Sequence, residues 1–445
     1  MEELQLKLAL VMEPAGVGTG PISGLIRLSG GANMESWSFD FAEQGFVLRR
    51  APSAAFMEGR AFGHDVEAAL VRAAVAAGVT APSVVAELRS EDGLGTGYIM
   101  RRVETEVSPA KILASPAPSL LDDIALELAR IHAIQPRPDI AIPIMDTAAA
   151  VAELKSRFLF YGGDRPIIAL ALRWCETNMP AVVEPVLVHG DFRMGNLMAD
   201  ANGLAAVLDW ELAHWGDAHE DLAYGCMAVW RFGHYHRPAF GLGSLDAYFA
   251  AYEKHSGSKV DWERFRFWLV YRTLWWALGC LQMTSIWRSG ADRSLERAVI
   301  GRRTSENELD LLLLLEADAP EAQRRAVEFR DPVAIPAEGE PNAFELIEAL
   351  REWIDTDIKS KATGRDRFLA AVAMNALSII GREQSCPVSA QDTQLAEDLL
   401  SGAKDIRTPG LLSHLRSLAL QKIAIDGPKY ASFAEARRLW CEDAG

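Results

Sequence analysis

A chain of 445 residues has room for two or three domains, and 49% hydrophobic with 24% charged residues is the make-up of folded globular material with an ample core. A formal net charge of −16 argues against a nucleic-acid partner, which wants a basic footprint. Five scattered cysteines, at 175, 226, 280, 386 and 441, contain no CxxC pair and fit a reducing cytosol, not a disulfide framework.

The start, Met1-Glu2-Glu3, is acidic and lacks the basic and apolar pattern of a secretory signal. Five short runs rich in branched or aromatic residues follow: Ile22 to Leu28, Ser36 to Phe41, Phe46 to Arg50, Val84 to Arg89 and Tyr98 to Val103. The breaker Gly30-Gly31-Ala32-Asn33 between the first two predicts a hairpin and a small antiparallel sheet. Strand alternation puts Val47 and Arg49 on one face. Ala61 to Ala77 carries Val66, Leu70, Ala73 and Ala74 at helical spacing, projects Glu67, and stops at Gly78. Ser119 to Ile134 reads as an amphipathic helix with Leu120, Ile124, Leu128 and Ile131 on one face, and His132 on it as a packing residue. The glycine triplets at 16, 18 and 20 and at 93, 95 and 97 do not lie between a strand and a helix, so a dinucleotide fingerprint fails on context.

The chemistry is concentrated in His189-Gly190-Asp191-Phe192-Arg193-Met194-Gly195-Asn196 and Leu208-Asp209-Trp210-Glu211. Val186 to Val188 and Ala205 to Leu208 are short apolar runs that read as strands, so each acidic residue stands at a strand end. An aspartate, an asparagine five positions on and a second aspartate thirteen beyond are the polar set that a phosphoryl-transferring kinase uses. Asp191 would accept or position the substrate hydroxyl proton, and Asn196 and Asp209 would hold magnesium, a hard cation that takes oxygen ligands. The histidines at 214, 219, 234 and 236 lack the tight spacing of a zinc site.

The wording HGDFRMGN followed by LDWELAHWGDAHEDLA resembles the aminoglycoside phosphotransferase and choline kinase-like family, and within it the phosphotransferase domains related to those fused to some acyl-CoA dehydrogenases. The resemblance covers roughly residues 20 to 315 and implies an α+β, bilobal protein-kinase-like fold: an N-lobe of antiparallel sheet plus helix over 1–105 and a mainly helical C-lobe over 106–330. It implies ATP as cofactor beside Mg2+, and a small-molecule hydroxyl as acceptor. Gly30, Gly31 and Asn33 would lie over the nucleotide phosphates, Val47 against the adenine, and Met100, Arg101, Arg102 and Val103 would form the hinge at its edge. Arg49 stands where the family commonly carries a lysine, so a planar fork replaces a point charge while keeping the phosphate grip; Glu67 would be its partner. Arg193 would touch the transferred phosphate, while His189 and Asp221 would brace the loop.

Three prolines and a glycine with little apolar content mark 331–341 as a linker. Beyond it Asn342 and Glu345 make a capping-box start, with further helices expected near 365–380, 390–400, from 409 and from 432. Residues 342–445 then read as a small all-helical domain suited to packing or self-association. Phe267 to Trp287, the most apolar stretch, is broken by Arg272, Thr273 and Gln282 and reads as a buried helix, not a membrane span, so the expected location is the cytoplasm. For the acceptor, Glu211, His214, Trp215, Trp230 and His234 are the candidate contacts. Their aromatic and basic-leaning character suits a hydroxyacyl-CoA or hydroxylated carboxylate better than a polycation. An aminoglycoside-type kinase and a nucleotide-binding pseudokinase scaffold are the alternatives.

Overall fold

A computed structural model of the chain describes every residue except 1, 29–33, 54–56, 58, 332–340, 386, 387, 389, 390 and 442–445. The expected phosphate loop with Gly30, Gly31 and Asn33, and most of the expected linker, lie outside the described residues. Two compact units are present, one made of residues 1–145 and 182–265, the other of 146–181 and 266–445.

The first unit opens with a five-stranded antiparallel sheet: β1 (Ser23–Arg27), β2 (Glu35–Phe41), β3 (Gln44–Ala51), β4 (Val84–Glu87) and β5 (Thr96–Arg101), in the order β1-β2-β3-β5-β4. Alternation sorts β3 into two faces. Phe46 and Leu48 are fully buried, while Val47 and Arg49 are only partly so. Leu48 pairs with Ile99, Val47 with Met100 and Arg49 with Tyr98. The buried face gathers Phe39, Phe41, Phe46, Leu48 and Ile99 against Leu8, Val11 and Met12 of the helix Glu2–Met12. That helix was not foreseen, and its three buried residues fall at the spacing of one helical stripe.

The helix His64–Ala76 ends where Gly78 takes a left-handed φ of 86°. The N–H groups of Gly78 and Val79 donate to the carbonyls of Val75 (3.0 Å) and Ala74 (2.9 Å), closing the last turn as glycine at this position permits. Its inner face buries Leu70, Val71, Ala73 and Ala74 together with the carboxylate of Glu67, which is 0% exposed. Farther along, the helix Leu120–His132 buries the expected Leu120, Ile124, Leu128 and Ile131. β6 (Val186–Val188) pairs with β9 (His214–Gly216), and β7 (Leu197–Asp200) with β8 (Gly203–Val207). The two expected strands around the acidic residues are therefore β6 and β8. The five-stranded sheet, these helices and the two small two-stranded sheets together make the expected kinase-like α+β architecture.

The second unit is helical. Thr304–Leu315 buries Leu309, Leu311, Leu312 and Leu315, and the helices Leu411–Asp426 and Ala431–Trp440 pack against it. Thr393–Ser401 packs against Pro166–Thr177. Polar contacts tie the same pieces: Arg416 Nη2 lies 2.8 Å from Glu316 Oε2, its Nη1 donates to the Arg325 carbonyl at 2.8 Å, and the Tyr430 hydroxyl donates to Asp310. The expected capping box of Asn342 and Glu345 starts Ala343–Trp353. The tail helices thus share a core with residues 146–181 and 304–315 and do not close on one of their own. The stretch Phe267 to Trp287 lies in the helix Trp262–Ser289, and no helix among the described residues is long and apolar enough to cross a membrane.

A chain ending at residue 330 loses two of the helices that cover Thr304–Leu315, keeping the cover from Pro166–Thr177. It is expected to aggregate, or to melt well below the full chain in scanning calorimetry; an unchanged midpoint for a monodisperse truncation would show that the tail contributes nothing to this core.

Candidate active site

β6 delivers the chain into His189-Gly190-Asp191. Gly190 has φ of 81°, and a Cβ there would meet the Leu212 carbonyl oxygen at 2.3 Å, so only glycine fits the turn. The loop is braced from below by Asp221 of the helix Ala218–Tyr224, which is fully buried. Its carboxylate accepts from the N–H groups of His189 (2.7 Å) and Gly190 (2.9 Å) and lies 3.3 Å from His132 Nε2. Burial opposes the charge of Asp221, yet the hydrogen bond and charge of His132 hold its carboxyl below the usual aspartate range. His132 is in turn held by the Tyr252 hydroxyl, 2.8 Å from Nδ1. His189 Nδ1 accepts the Asp191 N–H at 3.2 Å and its Nε2 lies 3.1 Å from the Leu208 carbonyl. Burial pushes the pKa of His189 down, which suits a neutral ring donating from Nε2. His189 and Asp221 thus both bond to the backbone of the loop.

At the loop tip Asp191 is bonded on both oxygens. Arg193 Nε reaches Oδ1 at 2.8 Å, and Asn196 Nδ2 reaches Oδ2 at 2.6 Å and the Asp191 carbonyl at 2.9 Å. The Arg193 guanidinium lies 4.3 Å over the Trp230 ring and folds so closely onto the chain that a Cβ at Gly195 would meet its Nη1 at 2.0 Å. With Nδ2 used twice, the side-chain oxygen is what Asn196 has left to offer.

Asp209, just beyond β8, adopts φ of 67°, a left-handed conformation that costs a residue with a Cβ about a kilocalorie per mole or more and persists where the surrounding structure over-determines it. Its Oδ1 lies 2.6 Å from Arg49 Nη2. The same Nη2 is 2.7 Å from Glu211 Oε2, and Arg49 Nε is 3.3 Å from Glu67 Oε1. The expected Arg49–Glu67 pair is therefore formed, and it is joined to both acidic residues of the LDWE motif. Two members escaped the sequence reading. Arg60 contacts Glu67 Oε2 (2.9 Å) and Glu211 Oε2 (3.1 Å), and the Tyr98 hydroxyl donates to Glu67 Oε1 at 3.0 Å. Tyr98 could have been found from the strand register opposite Arg49; Arg60 sits in irregular chain before the helix and carries no periodic signal. Burial works against the charge of Asp209, but Arg49 lowers its pKa; burial and the neighbouring Asp209 raise that of Glu211.

Other expected contacts are placed as follows. Val47 and Met100 share the sheet face of Arg49. The Arg101 and Arg102 N–H groups donate to the carbonyls of Ser83 and Gly45, both at 2.9 Å, and the Arg102 side chain turns back to Ser38 Oγ (2.9 Å) and Asp40 (2.9 Å). Val103 is the second residue past the end of β5. His214 is buried, with Nδ1 2.9 Å from the Leu212 carbonyl and Nε2 3.0 Å from Glu220, so it braces its own strand. Trp215 is buried beside it in β9, and Trp210 and Phe240 are core residues. His234 is partly exposed in the irregular segment after Trp230.

Residues 24–268 match the family model described as phosphotransferase enzyme family, APH. The chain belongs to the APH phosphotransferase family. Over 232 residues this family member is 26% identical to acyl-CoA dehydrogenase family member 10 of Mus musculus, a match covering 48% of the chain and 21% of that relative. The chain therefore spans about a fifth of the relative's length. In fold it is similar to the crystal structure of a protein assigned as an aminoglycoside phosphotransferase from Ralstonia eutropha JMP134, with a TM-score of 0.55 at 20% identity, covering 71% of this chain and 98% of that one.

The donor set fits magnesium. Asp209 and Asn196 offer oxygen, and magnesium characteristically takes one or two such side chains and fills its remaining positions from water and substrate phosphates. No group of three or more His, Cys, Asp or Glu side chains suited to a metal occurs among the described residues.

Two outcomes are expected. Asp221→Ala removes the acceptor of two buried N–H groups and should cost several kcal/mol of stability, as for other broken buried charge networks; urea unfolding within 0.5 kcal/mol of the parent would show that the brace is dispensable. His64, 2% exposed with Nδ1 3.1 Å from Thr96 Oγ1, has a pKa lowered to about 4 by burial and by the nearby Arg60 and Arg49 charges. A depressed histidine contributes stability that is complete above its unfolded pKa, about 6.5, and is lost as pH falls from there toward 4. His64→Gln should flatten the stability profile across that window in thermal melts, and an unaltered profile would remove His64 as its source.

Proposed function

We propose that this family member transfers the γ-phosphoryl group of ATP, in a magnesium-dependent reaction, to a hydroxyl of a small molecule. The observation that carries this reading is the joint placement, within one compact unit, of Asp191 bonded to Arg193 and Asn196 and of Asp209 bonded to Arg49. His189 links the two sets: its Nδ1 accepts the Asp191 N–H, and its Nε2 lies 3.1 Å from the carbonyl of Leu208, the residue before Asp209.

Asp191 orients the acceptor hydroxyl and takes its proton. Arg193 balances the charge of Asp191 and supplies a cation beside it for the group in transfer. Asn196 and Asp209 would hold magnesium, which when bound neutralises charge on the phosphates. Arg49, aimed by Glu67, grips the phosphates, with Val47 and Met100 on the same sheet face for the adenine. Such chemistry rests on positioning and electrostatics more than on covalent steps. Asp191→Asn and Asp209→Asn should each lower kcat by roughly 10²–10³-fold, the scale of losing one preorganised electrostatic group. Near-parental turnover in both variants would remove the mechanism, and nucleotide binding indifferent to magnesium without turnover by the parent chain would favour the scaffold.

For the acceptor, the likeness to acyl-CoA dehydrogenase family member 10 and the cationic Arg193 stacked on Trp230 support a hydroxyacyl-CoA or hydroxylated carboxylate. ATP consumption across a hydroxyacyl-CoA panel and an aminoglycoside panel separates the two substrate classes. Turnover confined to aminoglycosides would sink this preference while leaving the phosphotransferase reading intact.

A further inference from the structure

A cavity of about 960 Å³ lies within the second unit, between the helices Ala343–Trp353 and Gly364–Ser385 and the turn at 426–430. That volume is in the upper part of the range of small-molecule sites, roughly 300–1,000 Å³. Ala343–Trp353 has an apolar face yet buries none of its residues fully, because part of that face looks into the cavity.

The lining combines apolar and cationic groups. Phe344, Ile347 and Leu377 supply the first kind, and Arg351, Arg382 and Lys429 the second. Four carboxylates also border the space, but each already has a partner. Glu306 is 3.0 Å from Arg303, Glu345 accepts the Asn342 N–H at 2.8 Å, Glu348 is 2.6 Å from Arg351, and Asp426 is 2.8 Å from Arg302. The cations are less well supplied. Arg382 donates Nε to the Ile425 carbonyl at 2.6 Å, and no other hydrogen bond or ion pair is formed by it among the described residues. Lys429 is exposed and forms none among the described residues. Arg351 gives Nη1 to Glu348, while its Nε is buried without a hydrogen-bond partner. Burial, with the adjacent charges of Arg351 and Arg302, holds the Arg382 guanidinium below its usual pKa in spite of Asp426, so positive charge is crowded at this wall.

We propose that this cavity is a second ligand site, distinct from the phosphotransferase centre, for a small amphipathic organic anion. A carboxylate or phosphate-monoester head would sit among Arg382, Arg351 and Lys429, where guanidinium groups give strong charge-assisted hydrogen bonds. The aliphatic part would lie on Phe344, Ile347 and Leu377, removing their exposed apolar surface from water.

The test is titration calorimetry on the full chain with octanoate, octyl phosphate, octylammonium, octan-1-ol and inorganic phosphate. Both octyl anions should bind saturably, and octanol, octylammonium and inorganic phosphate about tenfold more weakly or worse, a difference of about 1.4 kcal/mol. The tighter of the two octyl anions identifies the head group. Arg382→Met and Lys429→Met should each weaken octyl-anion binding several-fold, while Asp191→Asn leaves it unchanged. Lys429 is a surface residue, so its variant stays informative if loss of the Arg382 bond to Ile425 impairs folding. Equal affinity for octanol and the octyl anions would overturn the proposal, as would binding that neither substitution weakens or that Asp191→Asn abolishes.

Discussion

Two guanidiniums and three carboxylates share one desolvated place in the first unit, and the kinase-like half of the molecule is organised around them. Arg49 belongs to β3, Glu67 to the helix His64–Ala76, Asp209 and Glu211 to the chain after β8, and Arg60 to the approach to that helix. A carboxylate that is 0% exposed, as Glu67 is, is costly to bury unless its oxygens are met, and here Arg49, Arg60 and the Tyr98 hydroxyl meet both. The set carries one more negative than positive charge. That surplus sits on the Asp209 and Glu211 side, where a divalent cation would be welcome and where the two carboxyl groups are already driven apart in pKa.

A second set of contacts fixes how far Asp191 stands from Asp209. The Leu208 N–H donates to the Asn196 carbonyl at 2.8 Å, and the Leu208 carbonyl lies 3.1 Å from His189 Nε2. The residue preceding Asp209 is thus tied to both ends of the loop that carries Asp191. Asp221 then holds that loop through its backbone, accepting the N–H groups of His189 and Gly190, so the Asp191 side chain is not asked to brace the turn as well. Such a supporting shell of packing and hydrogen bonds is what holds the side chains of a site in one geometry.

Much of this was legible in the residues, because the informative patterns are local. Period-two alternation in Phe46–Arg50 put Arg49 opposite the core face, helical spacing projected Glu67, and the HGDFRMGN and LDWE strings named Asp191, Asn196 and Asp209. What stayed hidden was set by distant packing. The stripe Leu8, Val11 and Met12 is too short to announce the sheet it covers, and Arg60 sits between elements. The tail's amphipathic helices show that they must bury a face, but not that Thr304–Leu315 and Pro166–Thr177 supply the other half. Of the two tryptophans offered as acceptor contacts, Trp215 is buried in its strand, and Trp230, also buried, carries the Arg193 guanidinium 4.3 Å over its ring.

The arginine at position 49 is best understood through its neighbours. A lysine offers one compact nitrogen at the end of a flexible stem, which suits a single carboxylate partner and a phosphate. Arg49 instead spans three carboxylates, reaching Asp209 and Glu211 from Nη2 and Glu67 from the Nε edge of the same plane. A planar fork can hold such a spread without moving, whereas one ammonium would have to choose. Glu211 therefore makes arginine the fitting residue, and Arg60 offsets the additional negative charge that Glu211 brings. The departure from lysine is therefore not isolated: Arg49, Glu211 and Arg60 close their charges on one another, Glu211 lying 2.7 Å from Arg49 and 3.1 Å from Arg60.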